Sequence, residues 1–152
     1  MDKNIPFPQA DDFNKIISLL NIQDEDSLKN KTKISMIFDG IADRQVQYYL
    51  SACMYLNIIN SNKEFTSLGK RLRTLSRTEQ DVELALLVIS HDIFGHIYFL
   101  EKRIGAKLDR TDVVDLLKTY VKFESEEMYK RRSQTIVKWI EWINSKFNDD
   151  FI

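Results

Sequence analysis

Cysteine is nearly absent: Cys53 stands alone, which excludes a disulfide within the chain and suits a reducing compartment. Proline is confined to Pro6 and Pro8, and glycine occurs only four times, so beyond residue 8 almost nothing interrupts a helix. No apolar run approaches the roughly 20 residues that span a bilayer. The opening MDKNIPFPQADD lacks the apolar core of a signal peptide, so a cytoplasmic protein with no membrane partner is expected. Neither sign of charge dominates, with 22 basic against 23 acidic residues and a net charge of −1. A nucleic-acid partner would therefore have to be held by local patches, because phosphate contacts are local. The phosphate-cradling and nucleophile motifs G-x-x-x-x-G-K-[ST], G-x-G-x-x-G and G-x-S-x-G are missing too, and no cofactor is expected.

What the chain does have is 43% hydrophobic residues, enough for a core, placed at helical spacing. A first helix is predicted to begin near Asp11 as its cap, with Phe13, Ile16, Ile17 and Leu20 in one stripe. After the acidic QDEDS, Ser27 is the predicted cap of a helix carrying Ile34, Ile37 and Phe38 inward and ended by Asp39-Gly40. The third helix, over residues 41–56, reads as a recognition helix. At about 100° per residue, Val46, Tyr49, Leu50 and Cys53 fall on one side. Arg44, Gln47, Tyr48, Ser51 and Tyr55 fall opposite, with Gln45 on a flank. Such a polar, aromatic face suits base edges and phosphates: Arg reaches guanine, Gln adenine, and a Tyr hydroxyl phosphate. An ordinary amphipathic helix with a tyrosine-rich surface is the plain alternative. Residues 56–60 and 64–66 are β-prone around a turn at 61–63, predicting a small β-hairpin wing. Thr66 or Ser67 then caps a helix bearing Leu68, Leu72 and Leu75.

Ser76-Arg77-Thr78-Glu79 has the spacing of a capping box and opens a helix apolar nearly all round over 82–89, predicted to be the most buried element. A further helix runs through Phe94, Ile97, Tyr98 and Leu100 to a stop at Gly105. Asp109 with Asp112 caps the next, and Ser125 a long last helix reaching about Phe147. On that helix Tyr129, Ile136, Trp139, Ile140 and Ile143 share a face, while Lys130, Gln134, Lys138 and Glu141 point away. Arg131 lies at the edge, and Arg132 falls inward as a structural residue. Five basic residues against one Glu occupy 63–77, and four against none occupy 128–138. Either stretch alone is equally a solvated face; both coincide with segments that a helix-turn-helix lays on DNA. His91 and His96 sit five apart, about 140° around a helix, which cannot form a common-face metal pair. His91 is expected as a cap, Cys53 as a buried small hydrophobe, and Trp139 and Trp142 as core rather than a stacking platform.

The pieces PQADDFNKIISLL, DRQVQYYLSACMYLNII, FTSLGKRLRTLS, ELALLVISHDIF and YKRRSQTIVKWIEWI, spread in order over residues 8–143, resemble a family of bacterial and archaeal winged-helix modules. These occur in restriction-modification proteins and beside some defence-related ATPases. Where the family carries Leu-Gly-Leu before the wing, this chain has Leu56-Asn57-Ile58, and its segment after Leu20 is acidic. The resemblance implies double-stranded DNA recognition as a target-recognition module of a restriction endonuclease, with a nuclease or ATPase domain or subunit as partner. It does not imply cleavage: no Pro precedes an Asp, and no strand-like segment carries Glu-x-Lys, so the chain is expected to be no enzyme and to bind no metal. A free-standing winged-helix regulator, or a protein-interaction winged helix that never meets DNA, are the other readings.

The expected fold is mainly α: a winged helix-turn-helix over 9–76 and a second helix-turn-helix-like unit over 77–147 sharing one core, with flexible ends at 1–8 and 148–152. The expected DNA contacts are Arg44, Gln45, Gln47, Tyr48 and Ser51 on the recognition helix, and Lys63, Lys70 and Arg71 on flanking backbone. A second surface comprises Lys130, Arg131, Gln134 and Lys138.

Overall fold

Asp12, not Asp11, opens the first helix: its side chain accepts from the Asn14 amide at 3.0 Å, and its own amide donates to the Tyr49 hydroxyl at 3.1 Å. This is seen in a computed structural model that describes residues 5–147. The expected flexible stretches 1–4 and 148–152 lie outside the described residues; Phe7 packs its ring on Tyr55, and Pro8 is buried. Among the described residues the chain consists of α-helices joined by turns, with one short 3-10 helix and no strand, so the protein is mainly α. It divides into two units, up to Gln80 and from Asp81 onward, with the boundary inside one continuous helix.

In the first unit, α1 (Phe13–Leu20) buries Phe13, Ile16, Ile17, Leu19 and Leu20. A 3-10 helix (Glu25–Lys29) follows, opened by Asp24 and anchored by the buried Leu28. It absorbs Ser27, so the cap of α2 (Lys31–Ile37) is Asn30, whose side chain accepts from the Lys33 amide at 3.1 Å. Ile34 and Phe38 turn inward, whereas Ile37 is 53% exposed, against the expectation. The helix stops at Phe38, and left-handed backbone at Asp39 (φ 60°) and Gly40 (φ 83°) brings the Gly40 amide back to the Ser35 carbonyl at 2.7 Å. Phe38, four residues after Ile34, thereby fills the inward place that Ile37 would have taken.

α3 (Asp43–Tyr55) buries Val46, Tyr49, Leu50, Ala52 and Cys53. It ends on Asn57, which adopts φ 61° while the Ile58 amide returns to the Cys53 carbonyl at 2.9 Å. The expected hairpin wing is reduced to a tight loop with a single antiparallel bridge, Ile59 to Phe65. The reason is local. The Asn60 carboxamide oxygen accepts from the amides of both Asn62 and Glu64, closing the loop within a few residues. The Phe65 amide donates to the Glu25 carboxylate at 3.0 Å, and Thr66 already caps α4 (Ser67–Arg73), leaving no residues for a ladder. A reciprocal amide pair, Asn21 with Gln80 at 2.8 and 2.9 Å, and Arg73 donating to the Leu20 carbonyl at 2.6 Å close the far end of this unit.

The capping box forms as read: Ser76 and Glu79 exchange hydrogen bonds with each other's amides, both at 3.2 Å, at the start of α5 (Arg77–Ile89). In the second unit, α5 buries Leu84, Ala85 and Val88 but leaves Leu86 44% exposed, so it is amphipathic rather than buried all round. α6 (Asp92–Ile104) meets it at 102° and ends on Gly105, whose φ of 70° makes the left-handed cap. α7 (Arg110–Tyr120) is capped by Asp109, and α8 (Glu126–Phe147) by Ser125. Trp139 is fully buried and stacks on Phe94 with ring centroids 5.0 Å apart; Trp142 is buried as well. Among the described residues no single helix is long and apolar enough to cross a membrane.

Candidate nucleic-acid interface

α3 carries its polar face because its apolar residues are drawn to one side by α1 and α2. Its N-terminal edge is the open part: Asp43, Arg44 and Gln45 are exposed, and Ala42, the residue at the cap position, offers no side-chain acceptor. The Asp43 and Arg44 amides are thus left without a side-chain cap. Arg44 donates from Nε to the Tyr48 hydroxyl at 2.8 Å and lies 5.7 Å from the Tyr48 ring centroid. Gln47 is half-buried and donates to the Ser51 hydroxyl at 3.0 Å. Ser51 itself is only 8% exposed, which corrects its expected outward position, and its hydroxyl accepts from Gln47.

Lys63 occupies a left-handed turn position (φ 60°) at the loop tip and is half-buried. Lys70 and Arg71 are exposed in the last turn of α4. Arg73, from the same basic stretch, is structural: besides its bond to Leu20 it lies 4.4 Å over the Phe65 ring. Glu25, which holds Phe65, was not singled out by sequence reasoning, because its partner is 40 residues away.

The second unit presents a separate polar surface. Lys130 and Lys138 are exposed, and Arg131 and Gln134 are half-buried. Lys138 lies 3.8 Å from Glu141, and Arg131 contacts the Thr135 hydroxyl at 3.5 Å. Arg132 sits over the Phe123 ring at 4.8 Å, a structural position. Sequence reasoning missed Arg110. Its guanidinium donates to the Lys130 carbonyl at 3.0 Å and to the Gln134 side chain at 3.2 Å, fixing α7 against α8 along a groove of about 480 Å³. The charges in that groove are mixed, since Lys118 is bonded to Glu126 at 2.5 Å and Asp115 and Glu127 line the same wall.

The remaining reactive side chains are packed or paired. Burial pushes the Cys53 thiol up to about 12. His91 occupies the residue position before α6 but makes no side-chain cap; burial lowers its pKa, and Asp92 opposes the shift. His96 Nδ1 lies 2.6 Å from the Tyr120 hydroxyl at the surface. Among the described residues no three His, Cys, Asp or Glu side chains converge on a common point.

Fold and site together define a mainly α-helical protein with a polar, arginine- and glutamine-bearing helix edge. The chain belongs to the family described as Domain of unknown function (DUF7226), whose model matches residues 15–148. No curated protein and no solved structure matches it.

Proposed function

We propose that this protein binds double-stranded DNA through α3, in the manner of a helix-turn-helix. The observation that carries the reading is the exposed N-terminal edge of α3, entered from α2 through the left-handed Asp39-Gly40 turn. That edge holds Arg44, Gln45 and two uncapped backbone amides, the groups that a recognition helix directs at base edges and phosphates. Lys70 and Arg71 on α4 would reach flanking phosphate, and the loop bridged at Ile59 and Phe65 would stand in for a wing. Lys130, Arg131, Gln134 and Lys138 form the second candidate surface.

The finer assignment, a target-recognition module working with a nuclease or ATPase partner in a restriction-modification system, is supported by the sequence resemblance over residues 8–143. A cytoplasmic setting fits the single buried Cys53. One observation favours a protein partner instead: Met36 and Ile37, beside the α2–α3 turn, are 74% and 53% exposed.

Titration of mixed-sequence and selected duplexes at about 50 and 200 mM salt tests the reading, because phosphate contacts are strongest at the lower value. Binding at 50 mM that weakens with salt, and weakens again in Arg44→Ala or in a Lys130→Ala/Arg131→Ala double variant, is expected. Absence of binding at 50 mM sinks it.

A further inference from the structure

We infer that α3 reads a guanine through Arg44 and that Tyr48 is the residue positioning it, an inference that rests on the DNA-binding reading above. Arg44 and Tyr48 lie one helical turn apart. The guanidinium is held by the 2.8 Å Nε bond to the Tyr48 hydroxyl, with its central carbon 5.7 Å from the ring centroid, inside cation–π range. Nε supplies one of the five N–H donors of arginine. The two Nη groups keep their parallel donors at the far end of the fork, and this is the edge that matches O6 and N7 of guanine. A free arginine loses rotamer freedom on contact; one already held loses less, so directionality is gained before DNA arrives.

Two features favour a base over a phosphate. Arg44 is the second residue of α3, and residues at the N-terminal end of a recognition helix are the ones that meet base edges. Asp43, also exposed, precedes it in sequence, and a carboxylate opposes the full charge of a phosphate more than the partial charges of a base edge. The neighbouring amides divide accordingly. Gln47 is committed to Ser51, and Gln45 is the exposed one on the same edge.

Duplexes selected from a randomised pool with the full chain, with Arg44→Ala and with Tyr48→Phe test this. The wild-type site is expected to require guanine at one position. Replacing that guanine by another base, or by 7-deazaguanine, should lower affinity about 5- to 150-fold. Arg44→Ala, which removes every donor, should erase that requirement. Tyr48→Phe, which keeps the ring, should weaken the discrimination about three- to tenfold with an unchanged thermal midpoint. A wild-type site without an obligatory guanine, or a guanine requirement that survives Arg44→Ala, overturns the inference. A loss that is uniform across sequences and flattens the salt dependence also overturns it, because that is the signature of a phosphate contact. If no duplex is retained at about 50 mM salt, the DNA-binding reading itself fails and this inference falls with it.

Discussion

Gly69 stands where α4 crosses the loop that follows α3. A methyl group there would fall inside 3.0 Å of the Ile58 carbonyl oxygen and at 3.2 Å from the edge of the Phe65 ring. Backbone cannot swing aside as a side-chain tip can, so Gly69→Ala should destabilise by about 1–3 kcal/mol despite alanine's better helix propensity, read as a lower denaturation midpoint. Buried Cys53 and half-buried His91 bear on the pH range of stability. The unfolded Cys53 thiol ionises near 9.0 and the folded one only at about 12, so above pH 9 deprotonation favours the unfolded chain and stability is lost as pH rises. For His91 the sign reverses: its folded pKa lies below 6.5, so its contribution is present above 6.5 and is lost as pH falls through the lowered value. Urea midpoints followed against pH should show both limbs. Cys53→Ala should flatten the alkaline one and His91→Gln the acid one, each relative to its own plateau.

At the scale of elements, several helix ends follow from short-span hydrogen bonds. Ser76 with Glu79, Asp109 and Ser125 cap where their spacing places them, and of Thr66 and Ser67 it is Thr66 that caps, whereas Asn30, at the same three-residue span, holds the place expected of Ser27 because the 3-10 helix absorbs Ser27. The stops expected at Asp39-Gly40 and Gly105 form as well, both in left-handed backbone. Asp11 and Asp12 are chemically alike, and the choice between them involves the Tyr49 hydroxyl, 37 residues away, which takes the Asp12 amide. The wing failed as a strand pair for the same kind of reason, since Glu25 takes the Phe65 amide from outside the local pattern. In the candidate site, the exposure of Arg44 and Gln45 followed from 100° spacing, while the bracing of α8 by Arg110 spans at least 20 residues and left no local trace. The Asn21–Gln80 pair is the most distant of these, 59 residues apart, with Gln80 also donating to the Leu72 carbonyl at 3.1 Å. Replacing Gln80 by Ala should cost about 1–3 kcal/mol by stranding the buried Leu72 carbonyl and removing the Asn21 partner. In a double-mutant cycle Asn21→Ala should cost much less once Gln80 is gone; additive losses would mean the two amides do not act as a pair.

For the whole molecule, 22 basic residues against 23 acidic ones leave no broad positive field, so the DNA-binding proposal must work through few phosphates. The structure narrows the candidates further. Arg73 is committed to Leu20 and Phe65, Lys63 is half-buried in its turn, Arg132 lies over Phe123 and Lys138 sits near Glu141. Lys70 remains exposed in the first unit, and Lys130 in the second. If about two phosphates are neutralised, log K should fall against log salt with a slope of about −1.8, so a fourfold rise in salt should cost about 12-fold in affinity. Lys70→Ala should flatten that slope by about one, whereas Arg73→Ala should lower stability and leave the slope alone. A slope steeper than about −6 would require phosphate contacts beyond these surfaces and would overturn this map of the interface. The comparison of Lys70 with Arg73 carries the most weight, because the two lie three residues apart on α4 and differ in whether the fold has already claimed their charge.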